Sequence, residues 1–150
     1  MITIEEIKAL RQETGLSIME CRKALEKAGG DKDKAIALLK EKGGEIAAKK
    51  GNRTLGSGVI VSYIHTGETV GVMVELLCET DFVAKNLEFK SVARDIGMHI
   101  AAMSPADTDE LLGQPFIKDP GQKISDLINN TIQKFGERIE VGRFVRFSLN

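Results

Sequence analysis

The sequence predicts a two-part α+β protein in which a three-helix segment precedes a small three-stranded antiparallel sheet packed against helices. Three observations predict it. Residues 1–43 carry three short runs of helical apolar spacing, each opened by a capping residue and followed by glycine. Two runs of alternating apolar side chains then flank Thr66-Gly67-Glu68. The remainder returns twice to helical spacing and ends on one more alternating run, which gives the order β-β-α-α-β.

Each helix of the first segment has its own start and stop. In Thr3-Ile4-Glu5-Glu6 a threonine hydroxyl can accept from the Glu6 N–H while the glutamate reaches back, a capping box. Ile4, Ile7 and Leu10 follow on one face, and Gly15 ends the run. Ser17-Ile18-Met19-Glu20 is a second box, followed by Cys21, Ala24, Leu25 and Ala28 and stopped by Gly29-Gly30. Asp31 caps a third run, with Ala35, Ile36, Leu38 and Leu39 on its face and Gly43-Gly44 as terminator. Helices this short do not hold their shape alone, so residues 1–43 are expected to pack as one module. Residues 44–58 read as a linker: Glu45 to Lys50 can continue a helix, and Gly51, Asn52, Gly56, Ser57 and Gly58 then break regular structure.

Residues 59–150 form the core. Val59, Val61 and Tyr63 alternate with Ile60, Ser62 and Ile64, and Val70, Val72, Val74 and Leu76 with Gly71, Met73 and Glu75, an antiparallel hairpin. Phe89, Val92, Ala93, Ile96, Ile100 and Met103 mark a long helix capped by Asn86 and stopped at Ser104-Pro105. Residues 105–122, rich in Pro, Gly and Asp, are expected to be irregular. Ile124, Leu127, Ile128, Ile132 and Phe135 mark another helix, closed by Gly136. In the last strand Ile139, Val141, Val145, Phe147 and Leu149 are expected on one face, with Arg138, Glu140, Arg146 and Ser148 on the other. The sheet face away from the helices would hold Ile60, Ile64, Met73 and Phe144, an apolar surface in want of a partner.

Composition narrows the function. At 150 residues, 42% hydrophobic and 29% charged, the chain reads as a soluble globular protein. Its longest apolar runs fall far short of the roughly 20 residues of a membrane helix. The first residues carry Glu5 and Glu6 and do not read as a signal peptide, so the expected location is cytoplasmic. Cys21 and Cys78 form no CxxC pair and read as free, buried thiols in a reducing compartment. The net charge of −1 argues against specific nucleic-acid binding, while its split as +3 over residues 1–56 and −4 over residues 57–150 points to protein partners or weak contact with RNA, or to an ordinary solvated surface. His65, His99 and two scattered cysteines cannot make a dense metal site, and His99 reads as a satisfied helix histidine. There is no GxSxG elbow and no GxxxxGK[ST] loop. No catalytic residue, no cofactor and no direct nucleotide binding are expected.

Two stretches stand out as contact motifs. Thr14 to Met19 joins the first two helices, and by residue type alone Leu16, Ile18 and Met19 are either core staples or surface contacts. Glu75-Leu76-Leu77-Cys78-Glu79-Thr80-Asp81-Phe82-Val83-Ala84-Lys85 runs from a strand into the long helix. There, Asp81 and Phe82 are either a helix cap and a core aromatic or an exposed carboxylate and aromatic on a turn. The run Leu10 to Leu25 resembles the first signature of the elongation factor Ts family, and residues 75–85 resemble its second, centred on Thr-Asp-Phe-Val. Gly113 to Asp119, Phe135 to Val141 and Arg143 to Phe147 are similar to the family's ending.

The resemblance implies a guanine-nucleotide exchange factor acting on elongation factor Tu. It implies a head of ubiquitin-associated type that docks the partner through Leu16 and Met19, with Ile18 inside. Thr80, Asp81, Phe82 and Val83 would bind the partner, Phe82 entering between helices of its nucleotide domain with Asp81 in polar contact beside it. Displacement of the elements holding Mg²⁺ and the phosphate loop would release GDP. The tip Tyr63-Ile64-His65-Thr66-Gly67 is similar to one in long family members, where a histidine approaches the third domain of the partner. Short members resemble half of the long core and imply a homodimer. This chain departs from them between Met103 and Gln114, where their helical insertion is absent. A plain binding module without exchange activity is the rival reading.

Overall fold

Thr3, Ser17 and Asp31 cap α1 (Ile4–Thr14), α2 (Ile18–Lys27) and α3 (Lys32–Lys49) in the computed structural model, which describes residues 1–149. Both capping boxes form, with the Glu6 and Glu20 N–H groups each 3.2 Å from the cap hydroxyl. Gly15 closes α1 at φ 68°, a conformation that favours glycine. Leu10, Leu16, Cys21, Leu25, Ala35 and Leu39 fill the centre of the three helices.

The third helix does not stop at Gly43-Gly44 but runs on to Lys49. A glycine inside a helix costs about 1 kcal/mol relative to alanine, and close packing offsets that cost. A Cβ on Gly43 would lie 3.2 Å from Gln133 Oε1 and 3.6 Å from the Asn129 carbonyl. Gly43 is therefore where α3 passes close to a core helix, and Ile46 and Ala47 beyond it pack on the second hydrophobic cluster.

That cluster lies between a sheet and its covering helices. The sheet is β1 (Ser57–Ile64), β2 (Val70–Cys78) and β5 (Glu140–Ser148), antiparallel in the order β1-β2-β5. Val72, Val74 and Leu76 face a buried layer that includes Phe89, Ile96 and Ile100 of α5 (Leu87–Met103) and Ile124, Ile128 and Ile132 of α7 (Ile124–Phe135). One-turn α4 (Asp81–Ala84) joins β2 to α5. The α+β architecture is as the sequence predicts. Both cysteines are free and buried, and among the described residues no helix is long and apolar enough to cross a membrane.

Two core expectations are corrected. Residues 105–122 are ordered: Asp107 caps α6 (Thr108–Gly113), its Oδ1 2.8 Å from the Glu110 N–H, and β3 (Pro115–Phe116) pairs with β4 (Asp119–Lys123). His99 pins this segment. Its Nδ1 accepts from the Ile117 N–H at 3.3 Å, which leaves Nε2 to donate to Gln114 Oε1 at 2.9 Å. Burial holds the His99 pKa below the usual imidazole range, the Gln114 bond opposing it.

The faces of β5 also differ from strict alternation. A bulge between the pairs Val74–Phe144 and Leu76–Val141 inserts an extra residue and reverses the alternation beyond it. Phe144 and Arg146 turn toward the helices, where Arg146 Nε donates to the Ala101 carbonyl at 3.1 Å. Val145 and Phe147 turn out to join Ile60, Ile64 and Met73 on the open face. Glu75 fastens the bulge, accepting from the Arg143 N–H at 2.7 Å and from its guanidinium at 2.9 Å through each oxygen. The arginine holds the Glu75 carboxyl at a pKa of about 2.

Candidate partner-binding site

The turn from β2 into α4 is held by carboxylates from across the fold. Glu137 Oε1 accepts from the Glu79 and Thr80 N–H groups at 3.1 Å, and its Oε2 accepts from the Thr80 hydroxyl at 2.7 Å. Glu79 returns the contact by accepting from the Arg138 N–H at 2.5 Å. Thr80 Oγ1 also takes the Val83 N–H at 3.4 Å, so Thr80, not Asp81, is the helix cap. Asp81 is instead tied to the start of β1, its Oδ1 accepting from the Ser57 hydroxyl at 2.6 Å.

This scaffold displays an aromatic side chain. Phe82 is 86% exposed, while Val83 beside it is 4% exposed. Val83, expected to contact a partner, packs into the core and anchors the turn from below. Short α4 follows β2 without slack, so burying Val83 and Ala84 directs Phe82 away from the core.

The turn between α1 and α2 is a second display. Leu16, expected at the surface, is 2% exposed. It precedes the Ser17 cap and shares a cluster with Cys21, four residues past that cap, the arrangement of a hydrophobic staple. Ile18, expected inside, is 54% exposed, and Met19 is 65% exposed. Both sit in the first turn of α2, ahead of the inward positions Cys21, Ala24 and Leu25.

His65 stands apart from the Phe82 turn. It lies at the exposed hairpin tip, its Nδ1 3.1 Å from the Tyr63 hydroxyl. Ser57, the partner of Asp81, is at the other end of β1, roughly 25 Å away for a strand of this length. The fold thus gathers Thr80 to Val83 at one place and Leu16 to Met19 at another, with His65 remote from the first. Ser57 and Glu137 escape sequence reading because their roles depend on pairings across 24 and 57 residues of chain. The Leu16–Ile18 exchange was readable, since a capping box at Ser17 implies the staple.

Phe82, Ile18 and Met19 are thus exposed apolar side chains seated on hydrogen-bonded turns. The family profile described as Elongation factor TS matches residues 79–150, the span from Glu79 through Glu137 to the end of the sheet. The chain is 42% identical to an elongation factor Ts of Thermodesulfovibrio yellowstonii over 192 positions, covering 99% of this chain and 96% of the relative. It is 42% identical to that of Carboxydothermus hydrogenoformans, with 99% and 89% covered, and 40% identical to that of Desulforamulus reducens, with 99% and 89% covered. The chain belongs to the elongation factor Ts family of translation elongation factors. The alignments are longer than its 150 residues, so these relatives carry internal residues that it lacks.

Proposed function

We propose that this chain is a guanine-nucleotide exchange factor that binds elongation factor Tu in the cytoplasm and promotes release of GDP. The observation that carries the reading is Phe82, which lies inside the family's matched span and is 86% exposed on a turn fixed by Glu137 and by Ser57. A side chain held in its working position loses little freedom on binding. Phe82 enters between helices of the partner's nucleotide domain, and Asp81 offers the oxygen opposite its Ser57 bond as a polar contact. The shift moves the elements that hold Mg²⁺ and the phosphates. No covalent bond is made or broken, and the nucleotide stays on the partner.

In this reading residues 1–43 are the docking module and 59–150 the exchange core, while residues 44–58 comprise the end of α3, the crossing to the sheet and the start of β1. Met19, with Ile18 beside it, contacts the partner, and Leu16 and Val83 support the two displays. Linkage supplies the test: GDP must weaken binding of this chain by the same factor by which this chain weakens binding of GDP. Calorimetric titration is expected to give tighter binding to nucleotide-free than to GDP-bound elongation factor Tu. Equal affinities would remove the basis for exchange.

A homodimer belongs to the same reading. Ile60, Ile64, Met73 and Phe147 are 62%, 60%, 51% and 71% exposed on the open sheet face, and a second copy is the occupant that covers them. Two-fold pairing would offer Phe82 from one copy and His65 from the other to one partner molecule. Sedimentation equilibrium at micromolar concentration is expected to show twice the chain mass. A clean 16.4 kDa monomer would refute the pairing.

A further inference from the structure

The two displays sit on separate hydrophobic clusters, and a polar face of α7 joins them. Ile124, Ile128, Thr131 and Ile132 turn into the core. Asn130, Gln133 and Lys134, spaced i, i+3 and i+4, turn toward the head. Asn130 Nδ2 donates to the Thr14 carbonyl at 3.1 Å, one of the α1 carbonyls left without a helical partner. Gln133 Nε2 donates at 3.1 Å to Glu20 Oε1, while Glu20 Oε2 serves the Ser17 cap with bonds of 3.2 Å and 2.8 Å. The Lys134 side chain lies across Gly15, where a Cβ would fall 2.6 Å from its Nζ. Its ammonium reaches Glu88 Oε2 at 3.3 Å, in the first turn of α5 just past α4.

We infer that Asn130, Gln133 and Lys134 are positioning residues: they clamp the α1–α2 turn so that Ile18 and Met19 stand at a fixed spacing from Phe82, and one partner meets the two displays as a preorganised pair. This rests on the reading of Met19 and Phe82 as contacts to elongation factor Tu. From Glu20, next to Met19, the contacts run through Gln133 and Lys134 of α7 to Glu88, which follows the end of α4 by four residues. They consist of side-chain hydrogen bonds and an ion pair beside the continuous α3, so they can loosen without emptying either apolar cluster. Two linked contacts gain from each other only while their spacing matches the partner.

The test uses the full-length chain with Asn130→Ala and Gln133→Ala together, and separately Gln133→Glu, which sets a carboxylate against Glu20 with no loss of volume. Circular dichroism and thermal melts report folding. GDP release from elongation factor Tu is measured against exchange-factor concentration. The half-saturating concentration is expected to rise about tenfold, with the plateau rate within about twofold because Phe82 and its scaffold are untouched. Met19→Ala is then added in both backgrounds and is expected to cost less once the clamp is open. An unchanged half-saturation, or a Met19→Ala effect equal in both backgrounds, would reduce the α7 contacts to ordinary packing and overturn the inference. If Met19→Ala and Phe82→Ala are both silent in the otherwise natural chain, the proposed function itself fails and takes the inference with it.

Discussion

Phe82→Ala is expected to slow GDP release from elongation factor Tu tenfold or more while leaving the stability of the chain within about 1 kcal/mol. The two halves of that expectation have different origins. Phe82 is 86% exposed, so truncation removes almost no packing from the folded chain. A phenylalanine in a core would instead cost roughly 3–5 kcal/mol. An aromatic anchor at an interface is worth about 2 kcal/mol or more when truncated, and 1.4 kcal/mol is about a factor of ten. Asp81→Ala is expected to act in the same direction but less steeply, since its loss also frees the Ser57 hydroxyl that ties α4 to β1. Urea midpoints and exchange rates on the same variants decide the matter. A Phe82→Ala chain that is destabilised yet exchanges normally would make Phe82 a packing residue.

The second large effect separates Leu16 from Met19, three residues apart and oppositely placed. Leu16→Asp buries a carboxylate among Leu10, Cys21 and Leu25 with nothing to pair it. A penalty of several kcal/mol is expected, enough to unfold the three-helix head. Met19→Asp alters a side chain that is 65% exposed, and folding stability is expected to change by about 0.5 kcal/mol or less. Its cost falls on the affinity for elongation factor Tu, about tenfold or more. Amide hydrogen exchange reads both outcomes. In Leu16→Asp the helices of residues 1–43 are expected to lose protection while β1, β2 and β5 keep theirs, because the two apolar clusters are separate. Loss of protection in the sheet as well would mean that head and core fold as one unit.

What could be read from sequence was what is local. The capping boxes at Thr3 and Ser17, the hairpin around Thr66 to Glu68 and the long α5 stripe each announce themselves within a few residues, and all are present. What could not be read depends on distant neighbours. Gly43 has the sequence signature of a stop, yet its missing Cβ is used against α7. The β5 bulge follows from the fit of Glu75 and Arg143 across two strands, and it moves Val145 and Phe147 to the open face. Residues 105–122 hold elements too short for any periodicity, ordered by the buried imidazole of His99. At the site, Phe82 and Met19 stand in the open. The residues that hold the Phe82 turn, Glu137 and Ser57, carry no mark in the sequence because their partners lie far along the chain.

In the proposed function this chain empties the nucleotide site of elongation factor Tu by contact alone. Stopped-flow release of a fluorescent GDP from elongation factor Tu, chased with excess unlabelled GDP, measures that step without further components. With this chain present the release rate is expected to rise with its concentration to a plateau well above the spontaneous rate, and with Phe82→Ala to fall at least tenfold below that plateau. A release rate that stays at the spontaneous value at every concentration, although the chain binds elongation factor Tu, would rule out exchange and leave a binding module.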